Sequence, residues 1–70
     1  MPELIDIVVN GERKSVARGL TVQTLLETLD IPADRVAVEL NKSIVRKRNW
    51  EDTPVAAGAQ VEIVQFVGGG

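Results

Sequence analysis

Residues 5–17 read IDIVVNGERKSVA, and this stretch predicts how the domain begins. Ile5 to Val9 is rich in β-branched residues, which favour strands. Asn10-Gly11 is the dipeptide best suited to the positive φ angles of a two-residue type I′ turn. Glu12 to Ala17 supplies a second strand, with Val16 facing the core. The domain is therefore predicted to open with a β-hairpin.

One amphipathic helix is predicted after the hairpin. Thr21 can cap its N-terminus, and the apolar residues that follow recur at i, i+3, i+4 and i+7: Val22, Leu25, Leu26 and Leu29. We expect a helix of about ten residues that ends near Asp30, because Pro32 opposes its continuation. In so small a domain the apolar stripe is expected to face the core.

Further strands follow the helix. Arg35 to Asn41 alternates apolar and polar residues, a turn at Asn41-Lys42 leads to a short strand from Ser43 to Arg46, and Gln60 to Val67 is strongly β-prone. The connection from Asn49 to Pro54 is predicted to be irregular, with Trp50 folded back over the core. The order predicts an α+β fold like the β-grasp, a mixed sheet of four to five strands with one helix across one face and the first and last strands parallel at its centre.

Composition limits the chemistry that the chain can perform. Seventy residues make one small domain, which we assign to residues 1–67, with residues 68–70 as a tail. The sequence has no cysteine and no histidine, so disulfides, thiolate nucleophiles, the commonest metal ligands and the usual neutral-pH general base are all missing. We therefore predict no catalytic residues and no metal site.

Charge and hydropathy bear on partners and location. Eight Lys/Arg against ten Asp/Glu give a net charge of -2, which argues against a nucleic-acid partner. Met1-Pro2-Glu3 lacks the basic start of a secretory signal, and no apolar run approaches the roughly 20 residues that span a membrane. We expect a cytoplasmic protein without membrane contact. A basic cluster, Lys42, Arg46, Lys47 and Arg48, is either a docking surface for an acidic partner or a solvated edge protected from aggregation.

The last strand has two different faces. Val61 and Ile63 lie on one face, and Val64 and Phe66 lie on the other with Glu62. If the first face meets the helix, Val64 and Phe66 lie on the open side of the sheet, where they are either a partner-docking surface or ordinary exposed residues.

The chain continues from this strand into Gly68-Gly69-Gly70. Three extended residues reach roughly 10 Å, and without side chains Gly68 and Gly69 can pass through a narrow channel where only their backbone is recognised. The α-carboxylate of Gly70 is a poor electrophile, so a partner must convert it to an acyl-adenylate before a lysine nitrogen, a thiol or a persulfide can attack. The alternative is that the glycines are an inert end.

The whole chain resembles the ThiS family of ubiquitin-like sulfur carriers. The resemblance rests on the order and spacing of several segments: residues 7–12 (IVVNGE), 21–26 (TVQTLL), 36–41 (VAVELN), Ile44-Val45, Trp50 and 61–70 (VEIVQFVGGG). One departure is that Arg46 and Lys47 stand where the family commonly has proline and arginine.

The resemblance implies a reaction cycle on Gly70. A ThiF-like enzyme adenylates its carboxylate with ATP and magnesium, sulfur from a cysteine desulfurase persulfide displaces AMP, and a ThiG-like thiazole synthase consumes the resulting thiocarboxylate. Three alternatives remain at this point: the small subunit of molybdopterin synthase, a protein modifier that is conjugated to lysines, and a β-grasp interaction module with an inert tail.

Overall fold

The computed structural model describes residues 3–66. Their strands and α-helix are β1 (Leu4–Val9), β2 (Glu12–Ala17), α1 (Val22–Thr28), β3 (Val36–Leu40), β4 (Ser43–Val45) and β5 (Gln60–Gln65). Two 3-10 helices cover Ala33–Arg35 and Lys47–Asp52. Within residues 3–66, no helix has the length and apolar character needed to cross a membrane.

The five strands form one mixed sheet in the order β2-β1-β5-β3-β4. The first and last strands, β1 and β5, are parallel neighbours at its centre, and the other pairs are antiparallel. This arrangement confirms the predicted α+β sheet, in which the chain ends its last strand in the middle of the molecule rather than at an edge.

The opening hairpin is as predicted. Asn10 and Gly11 have φ angles of 50° and 84°, as a type I′ turn requires, and β1 pairs with β2 from Leu4 opposite Ala17 to Val9 opposite Glu12. Along β1, alternate side chains are buried in the core: Ile5, Ile7 and Val9. The sheet therefore buries one face under the helix and leaves the other open.

Two elements cover the buried face. Val22, Leu25 and Leu26 of α1 are at most 1% exposed, which confirms the predicted inner face of the helix. Trp50 is also 1% exposed, and its indole Nε1–H donates a 2.8 Å hydrogen bond to the carbonyl of Val45. The prediction that Trp50 closes the core is confirmed.

The helix is shorter than predicted. It ends after Thr28 because Asp30 adopts φ 59° and turns the chain, with its amide donating to the carbonyl of Glu27 (3.1 Å) and the Ile31 amide donating to Leu26 (2.9 Å). These two bonds form a Schellman cap, with an aspartate in the place that glycine usually occupies. The next helical turn is therefore lost before Pro32 is reached.

The connection after β4 is more regular than predicted. Its first part is the 3-10 helix Lys47–Asp52, begun by the Asn49 amide donating to the carbonyl of Arg46 at 2.8 Å. At its end the Thr53 hydroxyl donates to the carbonyl of Asn49 at 2.7 Å. This local hydrogen bonding holds the segment in place while Trp50 reaches the core.

Candidate functional site

The predicted site divides between described and undescribed residues. Gly68, Gly69 and Gly70, predicted as the tail and its reacting residue, lie outside the described residues, and so does Val67 at the predicted end of the last strand. The structure therefore describes the surface from which the tail continues, and not the tail itself.

The end of β5 lies on the open face of the sheet. Val64 and Phe66 are each 57% exposed, whereas Val61 on the opposite face is 1% exposed and Ile63 packs against the core. The Phe66 amide donates a 2.7 Å hydrogen bond to the carbonyl of Arg35, so the backbone pairing continues up to Phe66. The predicted division of this strand into two faces is confirmed, but its role in docking stays a prediction.

A side chain fixes the other edge of β5. The parallel pairing with β1 covers Val8 opposite Gln60 and Val9 opposite Val61. Beyond it, the Oδ1 of Asn10 accepts from the Ile63 amide at 2.7 Å, and the Nδ2 of Asn10 donates to the Ile63 carbonyl at 3.2 Å. The side-chain carboxamide of Asn10 thus makes the two hydrogen bonds that one more peptide group of β1 would make. We call this arrangement the Asn10 clamp.

A second asparagine holds the start of β5. Asn41, in the turn between β3 and β4, has φ 51°, and its backbone N–H donates to the carbonyl of Gln60 at 2.7 Å. Its Oδ1 accepts from the Gln60 amide at 2.9 Å. The strand that leads into the tail is therefore fixed by asparagine side chains from two turns, one at each side.

Sequence reasoning read Asn10 as a turn former and missed the clamp. The carboxamide carries one acceptor and one donor, like a peptide group, which is the only signal that the sequence holds. Its partner Ile63 lies 53 residues away, and only the sheet register brings the two together.

Ile44 was also missed as a surface residue. It is 74% exposed, the highest value among the large apolar side chains of residues 3–66, and it pairs with Glu39 on β3. Ala37, two residues before Glu39, pairs with Val64 on β5. Two strand spacings and an offset of two residues along the strands separate Ile44 from Val64, so their backbones lie about 12 Å apart on the same open face.

We call Ala37, Ile44, Val64 and Phe66 the apolar patch. Ala37, Val64 and Phe66 lie at the end of the sheet from which the chain continues to residue 67. Ile44 lies one row further back, beside Glu39, which faces Glu62 across β3 and β5. Leu4, 63% exposed, lies on the open face at the opposite end of the sheet. The parallel strands β1 and β5 overlap only where β1 ends and β5 begins, so the first residue of β1 is far from the last residues of β5. The large exposed apolar side chains nearest the tail thus belong to one surface.

The described residues show no preformed reaction centre. Within residues 3–66 no polar or charged residue is buried, and no group of three or more acidic residues could hold a metal ion. What this part of the chain offers is a surface, the apolar patch beside the fixed strand β5.

Comparisons with known proteins match this architecture. The ThiS family model matches residues 7–70. The sulfur carrier protein ThiS of Escherichia coli is 33% identical over 66 residues, which cover 94% of this chain and all of that protein. A crystal structure of the thiamine biosynthesis protein ThiS from Geobacter metallireducens superposes with a TM-score of 0.84 at 36% identity, covering 94% of this chain and 100% of that one.

A longer relative contains a similar unit. A thiazole synthase of Paramagnetospirillum magneticum is 41% identical over 64 residues, which are 91% of this chain but only 20% of that protein. The chain therefore spans about a fifth of this enzyme. Family match, sequence identity along nearly the whole chain and superposed fold agree, and together they show that this chain belongs to the ThiS family of ubiquitin-like sulfur carriers.

Proposed function

We propose that the chain carries sulfur for thiamin biosynthesis as a thiocarboxylate on Gly70. A ThiF-like adenylyltransferase, using ATP and magnesium, joins the Gly70 carboxylate to the α-phosphate and releases pyrophosphate. A cysteine desulfurase persulfide then attacks the carbonyl carbon and AMP leaves. A thiol cleaves the resulting S–S bond, is itself oxidised to a disulfide, and leaves the thiocarboxylate on Gly70.

The consumer of this sulfur is a ThiG-like thiazole synthase. The support for this partner is that two proteins named thiazole synthase, from Paramagnetospirillum magneticum and Magnetococcus marinus, each contain a stretch similar to this chain. The presence of a stretch similar to this chain within a polypeptide named thiazole synthase favours a direct contact between carrier and synthase. Because the cycle consumes ATP, we place it in the cytoplasm.

The observation that carries the proposal is the junction between β5 and the glycines in a member of the ThiS family. The hydrogen bonds of Asn10 and Asn41 fix β5 on the side of β1 and at its start. In the sequence, Val67 and three glycines follow Phe66. The three glycines alone can reach roughly 10 Å when extended. The body can therefore dock outside an active site while Gly70 enters it.

The apolar patch is the proposed docking surface. Val64 and Phe66 stand on the open face next to the tail, and Ala37 and Ile44 extend the same surface across two more strands. A partner that covers these side chains removes apolar area from water close to the reacting terminus. Binding energy gained there can offset the loss of freedom when the tail is ordered.

Intact mass tests the proposed function directly. The purified chain is incubated with ATP, magnesium, a ThiF-like adenylyltransferase, and a cysteine desulfurase with cysteine. We expect a new species with one oxygen of Gly70 replaced by sulfur, and none when ATP is omitted. Adducts on lysine side chains in place of this species would show a protein modifier and contradict the proposal.

A further inference from the structure

Four cations lie together along one edge of the sheet. Lys42 is in the turn before β4, Arg46 follows β4 directly, and Lys47 and Arg48 begin the 3-10 helix. All four residues are exposed. We call them the basic edge, which lies on the far side of the sheet from β2.

The basic edge is a strong local departure from the charge of the chain. Residues 42–48 hold four Lys/Arg and no Asp/Glu, so the rest of the chain carries four Lys/Arg against ten Asp/Glu, a net charge of -6. Among residues 3–66 the observed ion pair joins Arg18 to Glu3 at 2.9 Å, and no cation of the basic edge has a carboxylate oxygen within 4.0 Å. These charges are therefore available to a partner.

The backbone under the basic edge is held by hydrogen bonds. The carbonyl of Arg46 accepts from Asn49, and the carbonyl of Val45 accepts from the buried Trp50. Lys42 sits in the two-residue turn with Asn41, at φ 72°. Because this backbone is already ordered, binding at the basic edge loses little backbone freedom.

The basic edge is continuous with the apolar patch. Ile44 lies between Lys42 and Arg46 in sequence and projects from the open face with 74% exposure. Arg46 comes one residue after Val45, which pairs with Val38, so Arg46 reaches the level of Ala37 and Val64. One partner can therefore contact apolar and basic residues together.

We propose that the basic edge docks on an acidic surface of the adenylyltransferase, with Ile44 entering an apolar depression within that surface. This inference rests on the proposed function and names the chemistry of its partner. Four clustered cations beside an apolar side chain complement clustered carboxylates around an apolar site. Residues 42–48 carry a net charge of +4 and the rest of the chain carries -6, so an acidic surface attracts this segment more than other parts of the chain, although Glu51 and Asp52 follow in the same 3-10 helix.

Electrostatic docking suits a carrier that must bind and leave repeatedly. Complementary charges accelerate encounter and set orientation more than they add affinity. Exposed charges are screened over about 8 Å at physiological ionic strength, so the effect is expected to weaken as salt is added.

The test compares two charge-matched variants. Arg46→Glu/Arg48→Glu reverses the basic edge, and Arg13→Glu/Arg18→Glu makes the same charge change at the opposite edge, on β2 and at the residue that follows it. The second variant also removes the exposed Arg18–Glu3 ion pair, whose loss is expected to change stability little. Each is assayed for ATP–pyrophosphate exchange with a purified ThiF-like adenylyltransferase over a range of carrier and salt concentrations. For the basic-edge variant we expect a KM for the carrier raised by roughly tenfold or more at low salt, with kcat unchanged and the difference shrinking as salt rises. The β2 variant is expected to stay within about threefold of wild type.

Several results would overturn the inference. One is an unchanged KM in the basic-edge variant, and another is an equal rise in both variants, which would reflect total charge. A third is binding of single-stranded RNA by the wild type that the basic-edge variant loses. The milder Arg46→Gln/Arg48→Gln variant, with thermal unfolding measured for every protein, separates misfolding from lost docking. If these results overturn the docking inference while the wild-type chain still loads sulfur normally, the proposed function stands. Absence of sulfur loading on Gly70 of the wild-type chain would refute the proposed function itself.

Discussion

Removing the Asn10 clamp should destabilise the domain by a measurable amount. In Asn10→Gly the positive φ of 50° is easily kept, but the two hydrogen bonds to Ile63, at 2.7 and 3.2 Å, are lost. An intramolecular hydrogen bond contributes about 0.5–1.5 kcal/mol, and these two are solvent-exposed. We therefore expect a loss of about 1–2 kcal/mol in the free energy of unfolding, with little contribution from the turn itself.

Asn10→Ala separates the two roles of the residue. It loses the same hydrogen bonds and keeps a Cβ in the left-handed region without the carboxamide that lets asparagine tolerate it, which adds about 1 kcal/mol to the cost of Asn10→Gly. For a domain of this size each kcal/mol corresponds to about 4–8 °C in Tm, so both losses lie within reach of thermal and denaturant unfolding.

Hydrogen exchange at Ile63 provides the local readout. Its amide should exchange faster in Asn10→Gly, while an amide in the β3–β5 pairing, such as that of Phe66, is affected less. Wild-type Tm together with unchanged exchange at Ile63 would refute the idea that this side chain stabilises the strand leading into the tail.

Three further variants test the core, its closure and the docking surface. Leu25→Ala should cost about 2–5 kcal/mol in denaturant unfolding because Leu25 is fully buried, whereas Gln23→Ala on the outer side should change little, and equal small effects would contradict the helix orientation. Trp50→Phe should cost about 1–3 kcal/mol by thermal unfolding, since it leaves a carbonyl of β4 without its 2.8 Å donor, and an unchanged Tm would contradict that role. Phe66→Asp should weaken adenylyltransferase binding in a titration with nearly unchanged Tm, while Leu4→Asp, a similarly exposed apolar residue on the same face, should bind normally; equal effects would exclude a local docking site.

The local elements of the fold could be predicted from the sequence. Asn10-Gly11 determined the first turn, and the helical spacing from Val22 to Leu26 identified the buried side of α1. Both depend on interactions between neighbours in the chain, which residue type and period report directly. The exact end of α1 could not be predicted, because Asp30 at a positive φ is a rare substitute for glycine in a Schellman cap.

The surface around the candidate site depends on non-local pairing. Ile44 becomes part of the apolar patch only because β4 pairs with β3, and β3 pairs with β5. A three-residue strand gives little alternation from which to assign a face, so its exposure was not predicted. By contrast Val64 and Phe66 lie in a longer alternating segment, and their exposed face was predicted correctly. The role of Gly70 remains a prediction.

Deletion of Gly70 tests the central claim most directly. Removing one residue withdraws the terminal carboxylate by roughly 3.5 Å, more than positioned chemistry tolerates. With wild type, the truncated chain and a ThiF-like adenylyltransferase measured side by side, we predict that the truncated chain supports no ATP–pyrophosphate exchange and acquires no sulfur by intact mass, while its Tm stays near that of wild type. A truncated chain that exchanges pyrophosphate at the normal rate and still acquires sulfur would contradict the assignment of Gly70 as the residue that carries it.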